Sequence, residues 1–129
     1  MEKNNINVSE IETFIESIFR SVISNQVYAD DIPNSISDDW KDMVIFDCSN
    51  IHDNDALGTG FILVYLYARP LSDGSKNVKT MSAMEKALNT AIAATSNGTY
   101  RLSRSDLWTD FDARCKWHTN VVKLNITIV

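Results

Sequence analysis

Apolar positions along this chain change their period several times, and each change marks an element. Ile11, Phe14, Ile15, Ile18, Phe19, Val22 and Ile23 recur at three- and four-residue spacing between Glu10, Glu16, Ser17, Arg20 and Ser21. That rhythm predicts an amphipathic helix over residues 9–25 with one buried face. Ser9 and Glu12 stand at capping-box spacing and predict its first turn. Residues 1–8 read as a disordered polar tail, ahead of a single domain over 9–129. Asp30-Asp31-Ile32-Pro33 stops the helix, because the residue before proline is pushed out of the helical region. Residues 26–42 then read as a loop, with Trp40 packed down as a plug.

Two apolar runs follow. Residues 43–48, Met-Val-Ile-Phe-Asp-Cys, predict a strand. In the second run, from Phe61 to Tyr67, every residue is aromatic, branched or leucine, with Gly58 and Gly60 before it and Arg69-Pro70 after it. This predicts a central strand buried on both faces. The polar connection between the two runs makes a wide antiparallel hairpin the simplest pairing. A second, slimmer helix is predicted over 78–95, with a stop at Ser96-Asn97-Gly98. Residues 99–104 predict a short strand, and 105–110 break the alternation. Beyond that, Ala113, Cys115 and Trp117 are apolar at odd positions, whereas Val122, Leu124, Ile126 and Ile128 are apolar at even ones. Since the strand period is strictly two, the shift predicts a bulge near 119–122 in one long strand, or else a turn between two.

The order is helix, strand, strand, helix, strand, strand. It predicts an α+β fold with both helices on one face of a mostly antiparallel sheet of about four strands. One alternate set of the central strand, either Ile62, Val64 and Leu66 or Phe61, Leu63, Tyr65 and Tyr67, then needs a second cover. The chain's own long loops could supply it, or a neighbouring subunit; Phe61, Leu63, Tyr65 and Tyr67 are the candidate sheet face for self-association.

Hydrophobic content of 44% and charged content of 22% are those of an ordinary globular domain. No apolar run approaches the roughly 20 residues of a membrane helix, and the polar start does not read as a secretion signal. Cys48 and Cys115 therefore read as buried thiols in a reducing compartment. The net charge of −5 divides unevenly: residues 1–57 carry 12 acids and 3 bases, while residues 58–129 carry 5 acids and 9 bases. Acidic solvated loops account for this plainly. The alternatives are copies meeting head to tail, or an acidic face turned toward a polyanion that must not be held tightly. The candidate subunit interface sets Arg101, Arg104, Arg114 and Lys116 against Asp30, Asp31, Asp38 and Asp39. A pI near 4.8 argues against a dedicated nucleic-acid binder.

Two groups of titratable residues are candidates for chemistry. Asp47, His52, Asp53 and Asp55 suggest a hard-cation loop, but Leu57 and Val64 stand where oxygen donors would be required. Asp106, Asp110, Asp112 and His118 contain carboxylates that could act as acid and base if packed together. No phosphate-binding loop, dinucleotide turn, Cys-x-x-Cys pair, nucleophile elbow or zinc-protease helix occurs. The chain is therefore read as a non-enzyme with no catalytic residue, metal or cofactor. A small metal-dependent hydrolase using the His52–Asp55 loop and a monomeric protein-binding adaptor stand as alternatives.

A pattern of larger scale runs from residue 9 to the end. A capped helix, Ile11-Glu-Thr-Phe-Ile-Glu-Ser-Ile-Phe19, leads through the Pro33 loop to Met43-Val-Ile-Phe-Asp47. Gly60-Phe-Ile-Leu-Val-Tyr-Leu-Tyr-Ala-Arg69 follows, then Met81-Ser-Ala-Met-Glu-Lys-Ala-Leu-Asn89 and a long closing strand. In this order and texture the chain resembles the small tail-completion proteins, or tail terminators, of long-tailed bacteriophages and the related head-to-tail joining proteins. The resemblance implies a structural ring, typically a hexamer, that caps the tail tube and joins it to the head side while DNA passes through the lumen without sequence-specific binding. Its partners would be tail-tube and head-completion proteins. Its location would be the virion, assembled in the bacterial host cytoplasm, with no membrane contact. The family has no catalytic signature to transfer. The acidic N-terminal half, Trp108 and Trp117 lie outside its pattern.

Overall fold

Eight residues of strong β preference, Phe61–Ala68, form the strand on which the other elements are assembled. A computed structural model describes residues 7–51, 60–95 and 98–128. The elements are α1 (Val8–Val22), β1 (Val27–Ala29), β2 (Asp42–Asp47), β3 (Phe61–Ala68), α2 (Val78–Ala94), β4 (Tyr100–Asp112) and β5 (Trp117–Ile128). They make one sheet in the order β1-β2-β3-β5-β4, so β3 is its middle strand. The β2–β3, β3–β5 and β4–β5 pairs are antiparallel and β1–β2 is parallel. The fold is α+β, with a mixed sheet of five strands in place of the expected antiparallel sheet of about four. The added strand, β1, has three residues, too few to display a period.

Both helices cover the same face. Ile11, Ile15 and Phe19 of α1, with Met81, Met84, Leu88 and Ala91 of α2, pack on Val44, Phe46, Ile62, Val64, Leu66, Val122, Leu124 and Ile126. Phe19 meets Phe46 edge to face at 6.4 Å. Each large side chain buried here contributes about 1.5–3 kcal/mol before the cost of ordering the chain.

The helix ends differ from the expected ones for local reasons. Asn7, not Ser9, caps α1, its side chain accepting from the Glu10 amide at 3.1 Å. Starting there places Val8 in the helix, where it extends the stripe of Ile11 and Ile15 against the core, and so removes Val8 from the expected tail. The helix stops at Val22. Beyond it the Ser24 hydroxyl donates to Asp42 at 2.6 Å and accepts from the Gln26 amide at 3.0 Å. Arg20 donates to the carbonyls of Asn25 and Val27. These bonds turn the chain into β1. At the far end of α2, the buried Thr95 hydroxyl donates to the Ile92 carbonyl and accepts from the Leu102 amide, fixing β4 to the helix end.

The expected bulge at 119–122 is absent. β3 and β5 stay in register without a break from Phe61↔Asn125 to Ala68↔His118. The apolar set moves from odd to even positions because the two faces of β5 are covered along different parts of its length. Trp117, Thr119 and Val121 are buried on the face away from the helices, and Val122, Leu124 and Ile126 under them. Ala113 and Cys115 belong to a turn before β5, in which Lys116 takes a positive φ of 62°. The irregularity lies instead in β4, between Arg104 and Asp106. Apart from this bulge β4 continues as one strand through 105–110, where the sequence pattern predicts a break. As an edge strand mostly exposed on both sides, it lacks the burial that produces alternation.

Cys48 is buried and free, and burial together with the nearby Glu12 and Asp47 pushes its thiol up to about 12. It is an inert core group. A Cβ at Gly60 would lie 3.2 Å from both the Asn50 carbonyl oxygen and the Ile51 Cα, so a larger residue here would require this backbone to shift by a few tenths of an ångström, and glycine lets the start of β3 pass close to it.

The sidedness of β3 gives a test. Leu66 is fully buried under the helices, whereas Leu63 points the other way and is half-buried. Leu66→Ala should lower unfolding free energy by about 2–5 kcal/mol, and Leu63→Ala by less than half as much, measured by urea denaturation.

Candidate functional site

The face of the sheet away from the helices is covered over part of its length. Parallel strands need a crossover of a dozen or more residues, and the twelve residues between β1 and β2 make it. Asp30 begins it with φ of 74°, a conformation that Asp tolerates better than most residues. Ile32, Ile36 and Trp40 of the crossover then pack over Met43, Ile45, Tyr67 and Trp117. Trp40 stacks on Tyr28 at 5.9 Å, as the expected plug. Arg69 fastens the crossover to the sheet, donating from Nε to the Trp40 carbonyl at 2.7 Å and from Nη2 to the Ser37 carbonyl at 2.8 Å. Its guanidinium lies 4.7 Å from the centre of the Trp117 ring.

Beyond this cover the same face is more open. Strand register aligns Ile45, Tyr65, Val121 and Trp108 in one row and Asp47, Leu63, Lys123 and Asp106 in the next. Phe61, Leu63 and Tyr65 are half-exposed, and Trp108 is 41% exposed. Lys123 Nζ sits 4.3 Å from the Phe61 ring centre. Of the expected sheet face, therefore, Tyr67 is buried within the chain and the other three remain accessible.

At the border between covered and open parts lies a charged network. The Tyr67 hydroxyl donates to Asp112 Oδ2 at 2.8 Å. Arg114 grips the same carboxylate, from Nε to Oδ1 at 3.1 Å and from Nη2 to Oδ2 at 2.8 Å, and reaches Asp31 with Nη1 at 2.7 Å. The Arg114 bonds hold Asp112 below the usual carboxylate range, and Asp31 likewise. The two carboxylates raise Arg114 in return. Burial and the Asp112 bond raise the Tyr67 phenol; burial, then Asp47 and Asp110, raise that of Tyr65.

The candidate interface residues are thus distributed unevenly. Arg114 and Asp31 are joined within one chain. Asp30, Asp38 and Asp39 are exposed on the crossover. Arg101, Arg104 and Lys116 do not cluster: register puts Arg101 and Arg104 on opposite faces of β4, and Lys116 stands beyond its far end, after about 35 Å of strand at about 3.3 Å per residue. Asp106, Asp110 and Asp112 alternate along the open face, but His118 is on the other one, against the Phe111 ring at 5.0 Å and the Gly74 carbonyl at 3.1 Å. The expected acid–histidine group is thus divided by the sheet. His52, Asp53 and Asp55 lie outside the described residues. Among the described residues no three His, Cys, Asp or Glu side chains converge as metal ligands, and no helix is long and apolar enough to cross a membrane.

A second surface was not anticipated. Lys41, Pro70, Leu71, Lys76, Val78 and Lys79 line an open groove of about 870 Å³ at the start of α2. The first turn of this helix carries no acid, so Lys79 adds positive charge to an already positive helix end. Lys76 and Lys79 flanking the Asn77 cap were the sequence signal for it.

No protein-family model matches the chain, and no curated protein matches it.

The network predicts a pH dependence. A carboxylate with a depressed folded pKa stabilises the fold above its unfolded value near pH 4, and that contribution is lost as pH falls through the folded value. The melting temperature of the wild type should exceed that of Asp112→Asn at pH 7, and the gap should close below about pH 4; a gap unchanged down to pH 3 would contradict this. Tyr67→Phe should cost about 1 kcal/mol in urea denaturation at pH 7.

Proposed function

We propose that this chain is a structural assembly protein whose copies join head to tail into a ring, in the manner of phage tail terminators. One observation carries the reading. Two surfaces of opposite charge on one molecule each expose large apolar side chains. Leu71 and Val78, 49% and 66% exposed, stand in the groove with Lys41, Lys76 and Lys79. Trp108 stands beside Asp106 and Asp110, on the face that also carries the acidic crossover. Two different patches that complement each other make a heterologous contact, which closes into a ring when the rotation between copies permits.

The resemblance supplies what the ring would do. It would cap a tail tube and join it to the head side, with tail-tube and head-completion proteins as partners and a hexamer as the usual number. The acidic crossover residues Asp30, Asp38 and Asp39, turned to the lumen, would let DNA pass without sticking. In that role the protein resides in the virion. A monomeric adaptor is the second reading, favoured by the position of β4 at the sheet edge among the described residues, along which an extended peptide could add.

Light scattering across protein and salt concentration tests the first reading. Wild type should give a mass above that of the monomer at low salt, falling as salt screens the contact. Asp106→Lys and Lys79→Asp should each reduce association about tenfold or more, and the double variant should recover it. A strict monomer at high concentration and low salt would exclude a self-closing ring of the free protein.

A further inference from the structure

Thr119 is 3% exposed, yet its hydroxyl has no hydrogen-bond partner among the described residues. A buried hydroxyl without a partner is uncommon and asks for an explanation. Thr119 lies on β5 between Tyr67 of β3 and Asp110 of β4. It lines a cleft of about 250 Å³ whose other walls include Tyr65, Tyr67, Asp110, Asp112 and Arg114.

The chemistry of these walls selects a ligand. Asp31 and Asp112 together occupy the Arg114 guanidinium, while Asp110 accepts from the Phe111 amide and forms no ion pair among the described residues. Within the cleft two carboxylates, Asp110 and Asp112, thus stand with one guanidinium that Asp31 also engages from outside, and Asp110 is left without a cationic partner among the described residues. Burial first, and then Asp47 and Asp110, raise the Tyr65 phenol. Two tyrosine rings add faces that attract cations. The volume falls below the range of about 300–1,000 Å³ typical of drug-sized ligands.

We infer that this cleft is a binding site for a single organic cation, an ammonium or guanidinium group, which receives the Thr119 hydroxyl and the Asp110 carboxylate as acceptors and the Tyr65 and Tyr67 rings as walls. The site does not require self-association. Its ligand is either a Lys or Arg side chain presented by a peptide or a free polyamine, which share this chemistry.

Titration followed by ¹H–¹⁵N correlation spectra, at constant ionic strength, tests the inference. The probes are the tripeptides Gly-Lys-Gly and Gly-Arg-Gly, spermidine, and n-butanol as an uncharged control. At least one cation should shift the Thr119, Asp110 and Tyr65 amides saturably, and butanol should not. Asp110→Asn, an exposed change that leaves the spectrum dispersed, should weaken binding about tenfold. Thr119→Val should weaken it severalfold while raising the melting temperature, because it removes an unpartnered hydroxyl. Tighter binding of a tripeptide assigns the site to a protein side chain, and tighter binding of spermidine to a polyamine. If no cation saturates these shifts, or if saturation persists unchanged in Asp110→Asn and Thr119→Val, the cleft holds water only and the inference fails.

Discussion

A parallel pair of strands cannot be closed by a tight turn, and that constraint shapes the face of this molecule away from the helices. β1 and β2 run the same way, so the chain must travel back the length of a strand between them. The helices already occupy one face, so the return passes over the other. Ile32, Ile36 and Trp40 thereby become a second layer, and Arg69 ties that layer down through two carbonyls and the Trp117 ring. The layer is shorter than the sheet. Where it ends, Tyr65 and Trp108 become accessible, and the Tyr67–Asp112–Arg114–Asp31 network marks the boundary.

That boundary also explains which parts of the fold could be read from the chain. Burial on one face leaves a regular imprint, so α1 and α2 are legible from spacing, whereas β2, covered by the helices on one face and the crossover on the other, and β3 are legible as continuous apolar runs. β5 is covered by helices along one part and by the crossover along another, and its apolar residues change parity without any irregularity in the backbone. The same imprint would be left by a bulge. β4 carries almost no imprint, because an edge strand open to solvent on both sides is under little pressure to alternate. β1 was hidden by its length.

The site was less legible than the fold, for a different reason. Asp31 and Arg114 are 83 residues apart in the chain, and no spacing rule connects them; the crossover and the β4–β5 turn must both be in place before they meet. Asp106, Asp110 and Asp112 could be seen as alternating, but whether His118 shared their face depended on the register across β4 and β5. Lys76 and Lys79 were visible on either side of a helix cap. Their grouping with Lys41 and the exposed Leu71 depends on the turn that follows β3.

The irregularity between Arg104 and Asp106 changes what the sheet edge offers to other chains. Among the described residues β4 is an edge strand of thirteen residues, a length at which a flat edge can recruit other chains, although side chains of Thr95, Asp106 and Asp110 already engage the amides of Leu102, Leu107 and Phe111. The break in register at Ser105 increases local twist and divides that edge into two shorter runs. Arg101 and Arg104 guard the first run, Asp106, Asp110 and Asp112 the second. A twisted, charged and divided edge of this kind is a poorer template for strand addition than a flat apolar one.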